Sequence, residues 1–235
     1  MSSAIGNITV VKIGGVLLEN PDAAVARILA VGAKNLVVVH GGGVQITRML
    51  EKMNVKSEFI DGLRVTDKVA IGAVAAALLG EVHTRLVVAL QKAGISATGV
   101  FGTVQAEKKT GPWGLVGTNV RADRAILTHL IESGHVPVVP TLAIGDSSLL
   151  NVNGDETAAA VALALTARRL IFLTDVEGVF DAERAVIARV PREVSLLDAP
   201  FVSGGMKPKI RAVESALAGG VATVTVGRTV FGDLQ

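Results

Sequence analysis

Apolar residues along this chain fall into two alternating patterns. Short runs that are apolar at consecutive positions and rich in β-branched residues occur at Ile8–Ile13, Leu36–His40, Val136–Val139, Leu170–Thr174 and Ala222–Val226. Such runs read as strands buried on both faces, the form parallel strands take when helices cover them. Between them lie alanine-rich stretches that read as helices: Asp22–Val31, Val44–Met53, Lys68–Ala93, Asp123–Ser133, Glu156–Ala167 and Lys207–Ala218. Strands separated by helices imply βαβ units. The expected fold class is α/β, a three-layer αβα sandwich around a mainly parallel open sheet.

Two segments break the alternation. Ser57–Ile60, the dipeptide Asp61-Gly62 and Leu63–Thr66 read as strand, tight turn and strand, a β-hairpin. Thr103–Lys108, the turn Thr110–Gly114 and Leu115–Arg121 predict a second hairpin. Hairpins projecting from a parallel sheet serve as lids or dimer surfaces, and read equally as plain loops. Any junction between two lobes is expected just after the Glu156–Ala167 helix.

Composition narrows the class. Half of the 235 residues are hydrophobic and 19% are charged, with a mean hydropathy of +0.53, so a sizeable core is available and global disorder is excluded. With one Trp, six Phe and no Tyr, that core is built from aliphatic residues. The absence of Cys excludes disulfide scaffolds, thiolate metal sites and Cys nucleophiles, and suits a reducing cytoplasm. A net charge of +2 and almost no aromatics speak against a nucleic-acid binder. Apolar runs such as Ala158–Leu165 fall far short of the roughly 18 residues of a membrane span. Met1–Val11 has no basic segment followed by an apolar one, so no signal peptide is expected. A soluble, cytoplasmic protein is the expectation.

Candidate chemistry gathers where strands end. Lys12-Ile-Gly-Gly15 closes the first strand, and His40-Gly-Gly-Gly43 closes the second and opens a helix. Glycine there lets a ligand approach the backbone, and free N–H groups at a helix start attract phosphate; the alternative is a set of tight strand-to-helix turns. Neither G-x-x-x-x-G-K-[ST] nor G-x-G-x-x-G occurs. Lys12 lies inside an apolar strand, where a lysine either meets an anion or reaches solvent from a sheet edge. Lys207 and Lys209 compete for a role in the glycine-rich start of a late helix. In Asn151-Val-Asn-Gly-Asp-Glu-Thr157, Asn153 or Asp155 suffices as a helix cap, yet the segment is more polar than a cap requires. Arg64, exposed by default, stands just past the Asp61-Gly62 turn, where it can hold a carboxylate with two prongs. His40 is assigned no role.

Taken in order, these segments resemble the amino-acid kinase family. The matching residues are Lys12–Leu18, Val39–Gly43, Gly62–Asp67, Asn151–Asp155, Leu173–Gly178 and Gly205–Lys209, and they span nearly the whole chain. The Gly62–Asp67 segment resembles the members that phosphorylate N-acetyl-L-glutamate. The resemblance implies transfer of the ATP γ-phosphoryl to the side-chain carboxylate of that amino acid, the second step of arginine biosynthesis. It implies two lobes, residues 1–167 for the amino acid and dimerisation and residues 168–235 for the nucleotide. By motif position, Lys12 and Lys209 would be the catalytic cations and Asp155 would orient both. Gly42, Gly43, Arg64 and Asn151 would bind the amino acid. Gly14 and Gly15, Asp175, Val176, Glu177, Gly178, Val179 and Phe180, and Phe201, Val202 and Ser203 would bind ATP, with Mg²⁺ arriving on the phosphates and no protein metal site.

Arginine-inhibited relatives of this kind carry an extra N-terminal helix and form hexamers. Here 11 residues precede Lys12 and the chain stops at Gln235, so a homodimer without arginine feedback is expected. Other readings remain: a kinase acting on N-acetyl- or carrier-linked aminoadipate in lysine biosynthesis, separated by one methylene, or a non-catalytic nucleotide or amino-acid sensor.

Overall fold

A computed structural model describes residues 6–233. Readings that rest on the whole of Met1–Val11 or on the chain end at Gln235 lie partly or wholly outside the described residues. The chain runs β1 (Ile8–Ile13), a 3₁₀ turn (Gly15–Glu19), α1 (Pro21–Leu29), β2 (Asn35–His40) and α2 (Gly43–Lys52). A short hairpin of β3 (Phe59–Ile60) and β4 (Leu63–Arg64) follows. Next comes one continuous helix, made of α3 (Ala70–Ala75), a π-helical stretch (Ala76–His83) and α4 (Thr84–Lys92). After it come β5 (Ala97–Gly99), β6 (Val104–Lys108), β7 (Gly117–Ala122), α5 (Arg124–Glu132), β8 (Val136–Pro140), β9 (Leu142–Ile144), β10 (Leu149–Asn151) and α6 (Gly154–Ala164). β11 (Arg169–Leu173), β12 (Arg189–Val190), α7 (Met206–Ala218), β13 (Thr223–Val226) and β14 (Thr229–Gly232) complete the described chain.

The main sheet has eight strands in the order β12-β14-β13-β11-β1-β2-β8-β5. All its pairings are parallel except β13 with β14, which a Gly227-Arg228 turn reverses. The lobe junction expected after residue 167 falls in the turn before β11, and the sheet runs on across it because β11 pairs with β1. A second, four-stranded sheet, β10-β9-β6-β7, and the β3–β4 hairpin stand apart from it.

Both faces of the main sheet are covered. Successive residues of β1 point to opposite faces, so Val10 joins one core with Val37, Val39, Leu170 and Phe172 and with buried residues of α5, α6 and α7. Val11 and Ile13 join the other, with Val38, Ala24 and Ile28 of α1, and Leu86 and Leu90 of α4. Each fully buried aliphatic side chain contributes about 1.5–3 kcal/mol relative to exposure, which explains why such strands are continuously apolar. A third cluster packs Ile46 and Leu50 of α2 against Ala73, Val74, Ala77 and Leu78 of the long helix.

The long helix corrects one expectation. Ala70–Lys92 is 23 residues long and contains an 18-residue window of mean hydropathy 1.6, long and apolar enough to cross a membrane by length and composition alone. It is a core helix here. Its Val82, Leu86 and Leu90 are buried against the sheet, and its Ala73 and Leu78 against α2. The π stretch ends in His83, whose Nδ1 lies 2.8 Å from Nε2 of the fully buried His40 at the end of β2. The other nitrogen of His40 lies 3.1 Å from the Gly41 carbonyl and must donate to it, so His40 Nε2 accepts from His83. Burial, with His83 adding to it, lowers His40 to about 3, so the pair is neutral and structural.

Candidate active site

The site forms at the C-terminal ends of β1 and β2. From β1 the chain order runs one way to β2 and the other way to β11, and an open α/β sheet leaves its ligand crevice at such a switch point. Lys12 is the one ionisable residue of β1 and points to the α6–α7 face, its Cα in register with Phe172 of β11. Asp155 lies in the first turn of α6, where Asn153 is the cap: its Oδ1 accepts from the N–H groups of Asp155 (2.8 Å) and Glu156 (3.1 Å). Asp155 is thereby left free to face inward. Its two oxygens meet Lys12 Nζ at 2.9 Å and Lys209 Nζ of α7 at 2.9 Å. Lys209 also stands 4.9 Å above the Phe172 ring. Three side chains from β1, α6 and α7 thus share one buried point.

The alternatives left open for the lysines are resolved in geometry. Lys12 belongs to an inner strand and meets an anion, so it is not an edge lysine reaching for solvent. Lys207 is exposed and lines a broad cleft, while Lys209 turns inward. Space for Lys12 comes from a glycine: a Cβ on Gly154 would stand 2.9 Å from Lys12 Cε.

Electrostatics follow from burial. The side chains of Lys12, Asp155 and Lys209 keep 17%, 9% and 12% of their exposure. Burial alone would raise the Asp155 carboxyl, but the two ammonium groups outweigh it and hold it below its ordinary value. Burial lowers Lys209, with Asp155 and, more weakly, Asp175 pulling the other way. Two ammonium groups on one carboxylate leave the triad with a net charge of one positive unit.

A pocket of about 270 Å³ opens beside Lys12 and is lined by Gly14, Gly15, Gly42, Gly43, Arg64 and Asn151 among others. Gly42 is pressed against the long helix, where a Cβ would stand 2.9 Å from Leu78 and 3.1 Å from Val82. Gly42, at the N-cap of α2, has no side chain with which to cap the helix, so the start of α2 beside the pocket carries no N-cap side-chain hydrogen bond. Arg64 departs from its exposed expectation: it is 7% exposed and burial pulls its guanidinium below the ordinary value. It donates to Ser57 Oγ, to Thr47 Oγ1 at 2.8 Å and to the Gly43 carbonyl at 3.2 Å, and stacks 4.6 Å over Phe59. Asn151 donates to Thr66 Oγ1 at 3.1 Å.

The residues expected to bind nucleotide are more scattered. Gly14 and Gly15 line the pocket just described. Asp175, Val176 and Glu177 line a separate cleft of about 600 Å³ with Gly227 and Arg228. That cleft does not reach Phe201, Val202 or Ser203. Gly178 and Val179 are buried, and Val179 N–H donates to Thr229 Oγ1 at 2.8 Å; Phe180 is partly exposed. Phe201 and Val202 pack on the core, and Ser203 is exposed just before α7. α7 begins without a side-chain cap.

Comparison with known proteins agrees with this geometry. The model of the amino acid kinase family matches residues 7–228. The chain belongs to the amino acid kinase family. Two relatives of this amino acid kinase bear the name acetylglutamate kinase. That of Acidobacterium capsulatum is 42% identical, over 92% of this chain and 89% of its own. That of Endomicrobium trichonymphae is 36% identical, over 97% and 96%. The solved structure of smu.665 from Streptococcus mutans superposes with a TM-score of 0.85 at 31% identity, covering 96% of this amino acid kinase and 98% of that chain. The α/β fold expected from the sequence is that of the family.

Several members of the site were not foreseen. Thr47, Ser57 and Phe59 hold Arg64, and Phe172 lies under Lys209. Thr47 had a signal, a hydroxyl four residues after Gly43 in the first turns of α2, where it donates to the Gly43 carbonyl at 3.0 Å. Phe59 had one too, since the two-residue Asp61-Gly62 turn pairs it with Arg64 across the expected hairpin; Ser57 and Phe172 had none as partners of Arg64 and Lys209.

Proposed function

We propose that this protein transfers the γ-phosphoryl group of ATP to the side-chain carboxylate of N-acetyl-L-glutamate, giving N-acetyl-L-glutamyl 5-phosphate for arginine biosynthesis. The observation that carries the reading is the buried Lys12–Asp155–Lys209 triad with its uncompensated positive charge, next to a pocket holding Arg64. The relatives named acetylglutamate kinase supply the substrate.

The chemistry suits the residues. The acceptor carboxylate is already ionised, so its oxygen attacks the γ-phosphorus without a general base. The bond between the γ-phosphorus and the β,γ-bridging oxygen breaks, and the electron pair leaves on ADP. The difficulty is bringing an anion to a polyanion and stabilising the phosphoryl group in flight. Lys12 stands at the pocket and Lys209 at the start of α7, so the two ammonium groups flank the path of transfer. The uncapped starts of α2 and α7 add N–H donors for anionic oxygens.

Arg64 and Asn151 take the α-carboxylate and acetamido end of the substrate, with Gly42 and Gly43 beside it. Residues 168–235 take the nucleotide, whose loop at Asp175 lies near enough to Lys209 to influence it. Among the described residues no group of three or more His, Asp or Glu could hold a metal ion, so Mg²⁺ would be bound mainly through phosphate oxygens.

A hydroxylamine trap tests the reading. The protein with Mg·ATP should give hydroxamate from N-acetyl-L-glutamate and little from N-acetyl-L-aminoadipate. Hydroxamate from aminoadipate alone would move the reaction to lysine biosynthesis. No hydroxamate from either, with ATP still bound, would favour a sensor.

A further inference from the structure

The only tryptophan in the chain sits outside the triad and the pocket, at the turn between β6 and β7. We infer that Trp113 is a positioning residue that straps the β3–β4 hairpin, and through it Arg64, over the substrate pocket. The inference deepens the acetylglutamate reading and rests on it for the identity of the substrate.

The hairpin needs such a strap. Each of its strands is two residues long, and Asp61 and Gly62 both take positive φ to close the turn. A ladder that short is not stable by itself in water. Trp113 holds it in two places. Its Nε1–H donates to the Ile60 carbonyl at 3.2 Å, directly before the turn. Its own carbonyl accepts from the N–H of Thr66 at 3.0 Å, and Leu115 N–H returns a bond to the Thr66 carbonyl at 2.6 Å.

Thr66 passes this constraint on. Fully buried, it donates from Oγ1 to the Arg64 carbonyl at 2.8 Å and accepts there from Asn151. Arg64 and Asn151, the two residues assigned to the amino-acid end of the substrate, are therefore joined through the residue that Trp113 holds.

The far side of the ring is anchored as well. Lys109 places its ammonium 4.4 Å over the indole, a cation–π contact. Glu156, half-buried beside Asp155, is raised by burial, while the backbone amides of Val120 and Asn119 and the charge of Lys109 pull it down. The ring is thus held between the Ile60 carbonyl of the hairpin and the ammonium of Lys109. It borders a cleft of about 1110 Å³ whose lining also includes Asp61, Gly62 and Leu63 of the hairpin and Lys207 and Arg211 of α7.

Trp113→Phe keeps the ring and deletes the Nε1–H donor; Trp113→Ala deletes both. Steady-state kinetics and amide hydrogen exchange of the unliganded protein are the two readouts. Trp113→Phe is expected to raise the KM for N-acetyl-L-glutamate about fivefold, the size of one lost hydrogen bond. The KM for Mg·ATP and kcat should stay within about twofold. Exchange across residues 57–66 should quicken about fivefold in Trp113→Phe and further in Trp113→Ala, with α6 and α7 unchanged. Equal effects on both substrates, or unchanged exchange in the hairpin, would overturn the strap. Exchange is read without substrate, so a wild-type protein that leaves N-acetyl-L-glutamate untouched sinks the proposed function while the exchange still decides the role of Trp113.

Discussion

Replacing Asp155 with Asn removes one charge and almost nothing else. The side chain keeps its size, and the α6 cap survives because Asn153 bonds the backbone N–H of residue 155, not its side chain. What changes is the environment of two ammonium groups, each 2.9 Å from a carboxylate oxygen and each largely buried. At an effective dielectric of about 20, each attraction that is lost is worth about 4 kcal/mol at 4 Å before desolvation is counted. Two cations bridged by one carboxylate lie roughly 6 Å apart, and without it they repel by about 3 kcal/mol. Lys12 borders the pocket and can swing into it, which relieves part of this. Loss of one member of a buried ionic cluster costs about 3–5 kcal/mol, and relaxation places the expected loss near the lower end, about 3 kcal/mol.

For a domain of this size that is a fall in Tm of roughly 6–12 °C. Mg·ATP should restore more stability to Asp155→Asn than to wild type, because phosphate oxygens replace the missing negative charge. Turnover should nonetheless fall by about 10²–10³, the range for losing a preorganised transition-state contact, since neither ammonium is then held in place. Differential scanning calorimetry with and without Mg·ATP, together with the hydroxamate assay, reads all three. A variant with Tm within about 2 °C of wild type and kcat within about threefold would refute the triad as the source of both stability and catalysis.

Lys209→Ala should abolish turnover while leaving N-acetyl-L-glutamate binding measurable by calorimetry, whereas Lys207→Ala, on the exposed side of α7, should leave kcat within about twofold. Arg64→Lys should raise the KM for N-acetyl-L-glutamate tenfold or more, because a single ammonium cannot serve Ser57, Thr47 and the Gly43 carbonyl and still meet a carboxylate. The pH dependence follows from the directions of the shifts. Lys209 lies below its ordinary 10.5, and its protonated form is the one required, so kcat/KM should decline on an alkaline limb beginning below that value. Lys209→Arg, whose guanidinium stays protonated across this range, should lack the limb. Lys209 also costs stability while charged and returns it as pH rises from its lowered value to 10.5. Asp155, held below 3.8, contributes stability above that value and loses it as pH falls through the lowered one, which denaturant titrations across acid pH will show.

The elements legible in the sequence were those with enough residues to show a pattern. β1 and β2 are apolar on both faces because α1 and α4 cover one side and α5, α6 and α7 the other, so their runs stood out. β12, with two residues, and β5, β9 and β10, with three each, are too short for any periodicity. β14 did carry a signal, since Val226 and Thr229 flank a two-residue Gly227-Arg228 turn, the spacing of a tight hairpin. The π stretch was invisible inside a single alanine-rich helix. At the site, Lys12 was legible because a charge inside an apolar strand is anomalous. The burial of Arg64 was not, because the predicted hairpin supplies only Phe59 across from it, while Thr47 and the Gly43 carbonyl come from α2. The pairing of His40 with His83 across 43 residues was hidden for the same reason.

The number of carboxylates in the triad is itself informative. With none, two buried ammonium groups would face each other across a low-dielectric site and the unliganded fold would bear the full repulsion. With two, the site would be neutral, and a triphosphate and a carboxylate would meet there without net attraction. One carboxylate shared at equal distances leaves a single positive charge that an incoming anion can satisfy, and it keeps each lysine on a fixed partner until that anion arrives. Because the three residues come from β1, α6 and α7, the same contact closes the sheet's central crevice against both covering helices. Binding and folding therefore draw on one charge balance, which is why a change confined to Asp155 must register in the stability of the free protein, in its response to Mg·ATP and in turnover together.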